Sequence, residues 1–172
     1  MLKGDRMKKV LLAIVLAVII AGAVFADHPD DKMGIGVMAG WYGGWGDGGL
    51  AHTAMSLKIP KVPIFWGANF SFGSNHFNLG AFGDKYFIES ALVSGIGLHW
   101  YVGVGAWANI GYSNNASDLS VGARLPIGLS WHILDFLELF LDIAPNLGVK
   151  IVPEIYFPAG GWPIEIGVRF WF

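Results

Sequence analysis

The chain contains no cysteine. That excludes a disulfide framework, thiolate chemistry, a cysteine-ligated metal and a lipidated N-terminal cysteine, and it leaves the redox character of the compartment open. Charge is scarce as well: Asp, Glu, Lys and Arg make up 14% of the 172 residues, against about 25% in ordinary soluble domains. With a formal net charge of -2, the chain offers no basic surface to neutralise phosphates, which argues against a nucleic-acid partner. Beyond residue 26 there is no run of the ~20 apolar residues needed to cross a bilayer as a helix.

Apolar and aromatic residues are abundant. Hydrophobic residues are 54%, aromatics 15%, and the mean hydropathy is +0.52, too apolar for a surface covered only by water. A chain of this kind without a spanning helix can still live in lipid as a closed barrel, in which every backbone group is paired and only the outward face is greasy. The length suits one domain. The 25 glycines are spread over strands and turns with no collagen period.

The N-terminus carries Lys3, Arg6, Lys8 and Lys9 before an apolar run from Val10 to Phe25. A basic stretch, a hydrophobic stretch of this length and the small-residue end Val24-Phe25-Ala26 predict a secretory signal peptide over residues 1–26, with Met7 an equally good start. The barrel domain then covers 27–172. Removing four basic residues and Asp5 leaves 7 basic and 12 acidic residues, a net charge of -5.

Strict alternation of apolar with small or polar residues is the main periodic signal after that. It predicts eight strands: 33–42, 50–59, 62–72, 76–88, 98–112, 119–131, 137–152 interrupted at Pro145, and 164–172. In the fourth the alternation blurs at Gly83-Asp84-Lys85, where a bulge would restore register. Proline cannot donate to a ladder, so a bend is expected at Pro145. The fold class is therefore all-β, an eight-stranded antiparallel transmembrane β-barrel with up-and-down connections. A water-soluble barrel would place the same apolar face inward; glycine-rich second faces with one or two charges per strand would hydrate such a barrel poorly.

An even strand count returns both ends of the domain to one side, the periplasm for this class. Outer loops then fall at 43–49, 73–75, 113–118 and 153–161, and inner turns at 60–61, 89–97 and 133–136. Trp41, Tyr42, Trp45, Tyr112, Tyr156, Phe157 and Trp162 lie near the outer rim, and Trp100, Trp131, Trp171 and Phe172 near the other, where Trp and Tyr favour headgroup levels.

Arg124, Glu138, Asp142, Glu165 and Arg169 fall on the non-lipid parity of strands six to eight. Paired carboxylates invite an acid/base reading, but an ion network neutralising buried charge and plugging the lumen accounts for them more simply. His52, His99 and His132 share that parity, yet they are read as spread over nonadjacent strands with no local ligand spacing, so no metal is expected. Ser130 beside His132 lacks a third triad member and an oxyanion hole. The stretch Gly43-Gly44-Trp45-Gly46-Asp47-Gly48-Gly49 lacks the Lys-Ser/Thr of a phosphate loop and reads as a rim loop. No enzyme and no cofactor are expected.

Three stretches, Val121 to Leu129, Leu137 to Pro145 and Ile166 to Phe172, resemble the small spirochaetal outer-membrane barrels grouped as a family of unknown function, similar in architecture to OmpX and the OmpA transmembrane domain. The alternation Ile164, Ile166, Val168, Phe170, Phe172 resembles the assembly signal of bacterial outer-membrane barrels. The resemblance implies residence in the bacterial outer membrane, with lipid and, during biogenesis, the barrel assembly machinery as partners. It implies no catalytic residues. The expected role is a structural or surface-interaction one, with a narrow channel for ions or small solutes as the alternative.

Overall fold

The computed structural model describes residues 31–44, 50–73, 76–113 and 116–172. The expected signal segment, the rim loop containing Trp45, Ser74-Asn75 and Asn114-Asn115 lie outside the described residues. The remainder is almost entirely strand: β1 Gly34–Gly44, β2 Leu50–Lys58, β3 Phe65–Gly73, β4 His76–Val93, β5 Leu98–Ser113, β6 Ala116–Arg124, β7 Ile127–Leu134, β8 Leu137–Ile143, β9 Asn146–Val152 and β10 Tyr156–Trp171. Neighbours pair antiparallel from β1 through β5, and β10 returns to β1, closing the sheet.

Ten strands make eight staves, because two staves are each broken by a proline. Leu125-Pro126 separates β6 from β7, and both pair with β5. Ala144-Pro145 separates β8 from β9, and both pair with β10. Proline has no N–H to give, so at each break, and at Pro163 within β10, a neighbour donates to the proline carbonyl instead. Gly103 N donates to Pro126 O at 2.8 Å, Leu125 N to Pro145 O at 2.9 Å, and Ala144 N to Pro163 O at 2.9 Å. These three prolines form a line across three adjacent staves.

The pleat turns the alternation into two faces of opposite chemistry. Val37, Trp41, Met55, Ile110 and Ile166 point outward, with Trp41 68% and Ile166 62% exposed. Lys58, Asp84, Arg124, Glu138, Asp142, Glu165 and Arg169 point inward and are buried, Glu138 at 0% exposure. A barrel in water would carry these charges outside, so the apolar-outward parity is the one that suits lipid. Phe82 lies against Gly67 and Phe140 against Gly167, where an added Cβ would collide with the ring carbons. Small residues are thus needed where large lumen side chains lie flat over the neighbouring strand.

Several expectations change, among them the start of the third strand, at Phe65 rather than 62, and the break of the sixth at Pro126. The last stave begins at Tyr156 rather than Ile164, because β9 and β1 supply ladder partners to a segment whose prolines and glycines read as loop. The fourth stave runs on to Val93, with irregularities after Tyr86 and Ala91 rather than at Gly83-Asp84-Lys85. Trp171 is buried and does not join the rim aromatics, since its ring fills the lumen. Trp41, Tyr112, Tyr156, Phe157, Trp162, Trp131 and Phe172 are exposed on the outside.

At the end of the barrel carrying residues 33 and 172, the connection from β2 to β3 begins with a tight turn. Val62 N donates to Ile59 O at 3.2 Å, and Lys61 adopts φ 63°. With proline at the second turn position and a positive φ at the third, this is a type II turn, in which glycine is the usual third residue. The β4 to β5 connection is a short 3-10 turn, Ser94–Ile96, ended by Gly97 at φ 68°.

Candidate functional site in the barrel lumen

Inward parity on every stave brings polar side chains to a common axis, where they sort into layers. Nearest the end that carries residues 33 and 172, Arg169 of β10 reaches both ways across the lumen. Its Nη1 donates to Glu138 Oε1 and Oε2 at 2.9 and 2.7 Å, and its Nε and Nη2 donate to Ser56 Oγ of β2 at 3.2 and 3.0 Å. Trp171 Nε1 donates to Glu138 Oε2 at 2.8 Å. The guanidinium lies over the rings of Phe65, Phe140 and Trp171, at 4.7, 4.6 and 5.6 Å from their centroids. Charge-assisted hydrogen bonds and cation–π contacts of this kind strengthen where water is excluded. Beside it, Phe65, Tyr86 and Tyr101 stack at 4.3 and 4.2 Å between successive centroids.

The next layer is centred on Arg124 of β6. Its Nη2 donates to Glu165 Oε2 of β10 at 2.8 Å, its Nε stands 3.1 Å from Asp84 Oδ2 of β4, and its guanidinium lies 3.9 Å above the Phe82 ring. His52 Nε2 is 3.2 Å from Glu165 Oε1. Asp142 accepts from the Tyr101 hydroxyl at 2.7 Å. The Oδ1 atoms of Asp84 and Asp142 are buried without a hydrogen-bond partner. Beyond this layer the lining turns to amides and an indole: Asn109 Nδ2 donates to Asn78 Oδ1 at 2.6 Å, and Trp107 Nε1 to Ala123 O at 3.2 Å. The far rim carries a half-exposed ion pair between Lys150 and Asp118.

The five charged residues singled out from the sequence therefore occupy two layers: Arg169 with Glu138, and Arg124 with Glu165, while Asp142 is held by Tyr101 rather than by an arginine hydrogen bond. Sequence reasoning missed Asp84, Ser56, Tyr101 and Trp171 as members. Their signal was present in the even-odd parity, but Asp84 was hidden by the blurred alternation around it. Of the outward series on β10 and the residue that follows it, Ile164, Ile166, Phe170 and Phe172 are exposed and Val168 is half-buried.

His52 stands apart from the other two histidines. His99 and His132, expected to be separated, are brought together because β5 and β7 are neighbours: their ring centroids are 5.8 Å apart. Ser130, the register partner of His99, is fully buried and its Oγ has no hydrogen-bond partner, so no hydrogen-bonded Ser–His couple forms. Among the described residues no group of three or more His, Asp or Glu is placed to hold a metal ion, and no helix is long and apolar enough to cross a membrane.

A closed eight-stave antiparallel barrel, apolar outside and charged within, has the architecture of the small outer-membrane barrels. The N-terminal β-barrel domain of Pseudomonas aeruginosa OprF is similar, with a TM-score of 0.57 and 14% identity over 83% of this chain and 98% of that one. A major outer membrane protein of Thermus thermophilus gives a TM-score of 0.50 and 13% identity over 82% and 99%. The family model described as a protein of unknown function (DUF3996) matches residues 81–161, just under half of the chain. None of the curated proteins matches the sequence.

Proposed function

We propose that this chain is a non-enzymatic β-barrel of the bacterial outer membrane, exported behind a cleaved signal peptide, and that its role is structural or one of surface interaction. The supporting observation is the pair of charged layers: Arg169 ties β10 to β8 and β2, and Arg124 ties β6 to β10 and β4, so that the second layer links opposite staves. An eight-stranded barrel is just wide enough to be filled by side chains, and these buried groups are placed to fill it. The outward-facing Ile164, Ile166, Phe170 and Phe172 fit engagement by the assembly machinery, then by lipid. The spirochaetal likeness rests on the three sequence stretches alone. The test is insertion of the folded protein into planar bilayers. No stepwise conductance is expected, and reproducible steps would overturn the closed-lumen reading.

A narrow channel is the second reading, favoured by the unsatisfied Oδ1 atoms of Asp84 and Asp142, which water along the axis would hydrate. Conductance that rises when Arg124 is replaced would support it.

A further inference from the structure

We propose that His99 and His132, with Ser130 across the ladder from His99, form a binding site for a divalent transition-metal ion such as Zn2+, Ni2+ or Cu2+ at the mouth of the barrel that carries residues 33 and 172. The two rings approach at 5.8 Å between centroids and 83° between planes. At Zn–N distances of about 2.0–2.1 Å an ion sits roughly 3 Å from the centre of each ring it binds, so rings clasping one ion have centres roughly 6 Å apart or less. The observed separation lies within that reach without backbone movement.

Two further observations point to a ligand. His99 Nδ1 is buried with no hydrogen-bond partner, and the Oγ of Ser130, directly across the β5–β7 ladder, is buried in the same condition. Buried polar atoms are costly to leave unsatisfied. An ion with its bound water would satisfy both, the imidazole supplying a nitrogen and the hydroxyl receiving a hydrogen bond from that water. Both rings are only half-buried, so a hydrated ion can enter from the mouth.

The surroundings hold the rings in place. His132 N donates to Gly97 O at 3.0 Å, anchoring β7 to the turn that precedes His99. The His132 ring lies beside that of Trp171, 6.3 Å between centroids, and its register partner is the anionic Glu138. Two protein ligands and water select borderline ions that favour imidazole; Ca2+ and Mg2+ need several oxygen ligands, and among the described residues no group of three or more acidic or histidine side chains is placed to supply them.

The chain has five histidines, at positions 28, 52, 76, 99 and 132, which sets the controls. Folded, tag-free mature protein is titrated calorimetrically with Zn2+ or Ni2+. One ion per chain is expected, with at least tenfold weaker binding in H99Q or H132Q and no change in a triple variant carrying H28Q, H52Q and H76Q. Heat-shifted gel mobility checks that each variant folds. A readout needing no variant is electron paramagnetic resonance of added Cu2+, where hyperfine structure from two nitrogens is expected. A flat titration, as an ordered water alone at this position would give, overturns the proposal, as does uptake that survives H99Q and H132Q together or is lost in the triple variant.

Discussion

The two lumen arginines are held in contrasting ways. Arg169 has one carboxylate, Glu138, which also accepts from Trp171, and the group is enclosed by Phe65, Phe140 and Trp171. Arg124 stands between Glu165 and Asp84, with Asp142 in the same layer, and two carboxylate oxygens there lack hydrogen bonds. The first layer is a matched pair sealed by rings. In the second, a single guanidinium faces three carboxyl groups and leaves two of their oxygens without a hydrogen bond. Burying ions costs several kcal/mol each, and their mutual attraction repays this only where pairing is complete. The matched layer should therefore be removable as a unit, and the other should not.

The largest effect separates them directly. Arg124→Met is expected to destabilise by roughly 3–5 kcal/mol, the range for leaving buried partners uncompensated, read as a lowered urea midpoint for loss of heat-shifted gel mobility. Arg169→Met alone should lose a similar amount. The doubles should diverge: Arg169→Met with Glu138→Leu regains most of the loss, whereas Arg124→Met with Glu165→Leu regains only part, because Asp84 remains. Equal recovery in the two doubles would break the distinction.

A smaller effect sharpens it. Gly167→Ala drives a Cβ into the ring of Phe140, which covers Arg169, so the ring must move at a cost of roughly 1–3 kcal/mol. The same measurement in the Arg169→Met background should show less than the sum of the two losses, since the displaced ring no longer has a guanidinium to cover; in the Arg124→Met background the losses should add. Smallest is Lys61→Gly, outside both layers, which relieves the positive φ of the turn and should stabilise by roughly 1 kcal/mol. Its gain should be unchanged in either arginine background.

Much of the architecture was legible because the pleat has a period of two. Alternation in the segments around Leu98 to Tyr112 and Leu119 to Trp131 gives the face of each residue without any tertiary knowledge. Parity also placed Arg124, Glu138, Asp142, Glu165 and Arg169 on one side of the wall. It could not say which arginine meets which carboxylate, because that depends on register and tilt, properties of pairs of strands. Arg124 reaches Glu165 two staves away, not a residue on the adjoining stave. The same blindness separated His99 from His132, whose proximity arises from the offset between β5 and β7. The start of the last stave was lost for another reason: Pro158, Gly160, Gly161 and Pro163 look like a loop to any local measure, and only flanking strands make them wall.

The line of Pro126, Pro145 and Pro163 has a mechanical consequence. At each of these positions one bond of a reciprocal pair is missing, so three neighbouring staves are weakly laced at nearly the same height. Arg124 lies two residues before Pro126, and Glu165 two residues after Pro163. Their ion pair therefore joins, from inside the lumen, the first and the last of the three creased staves. In that position it acts as a tie-rod, bracing from within a wall whose own lacing is thinnest there.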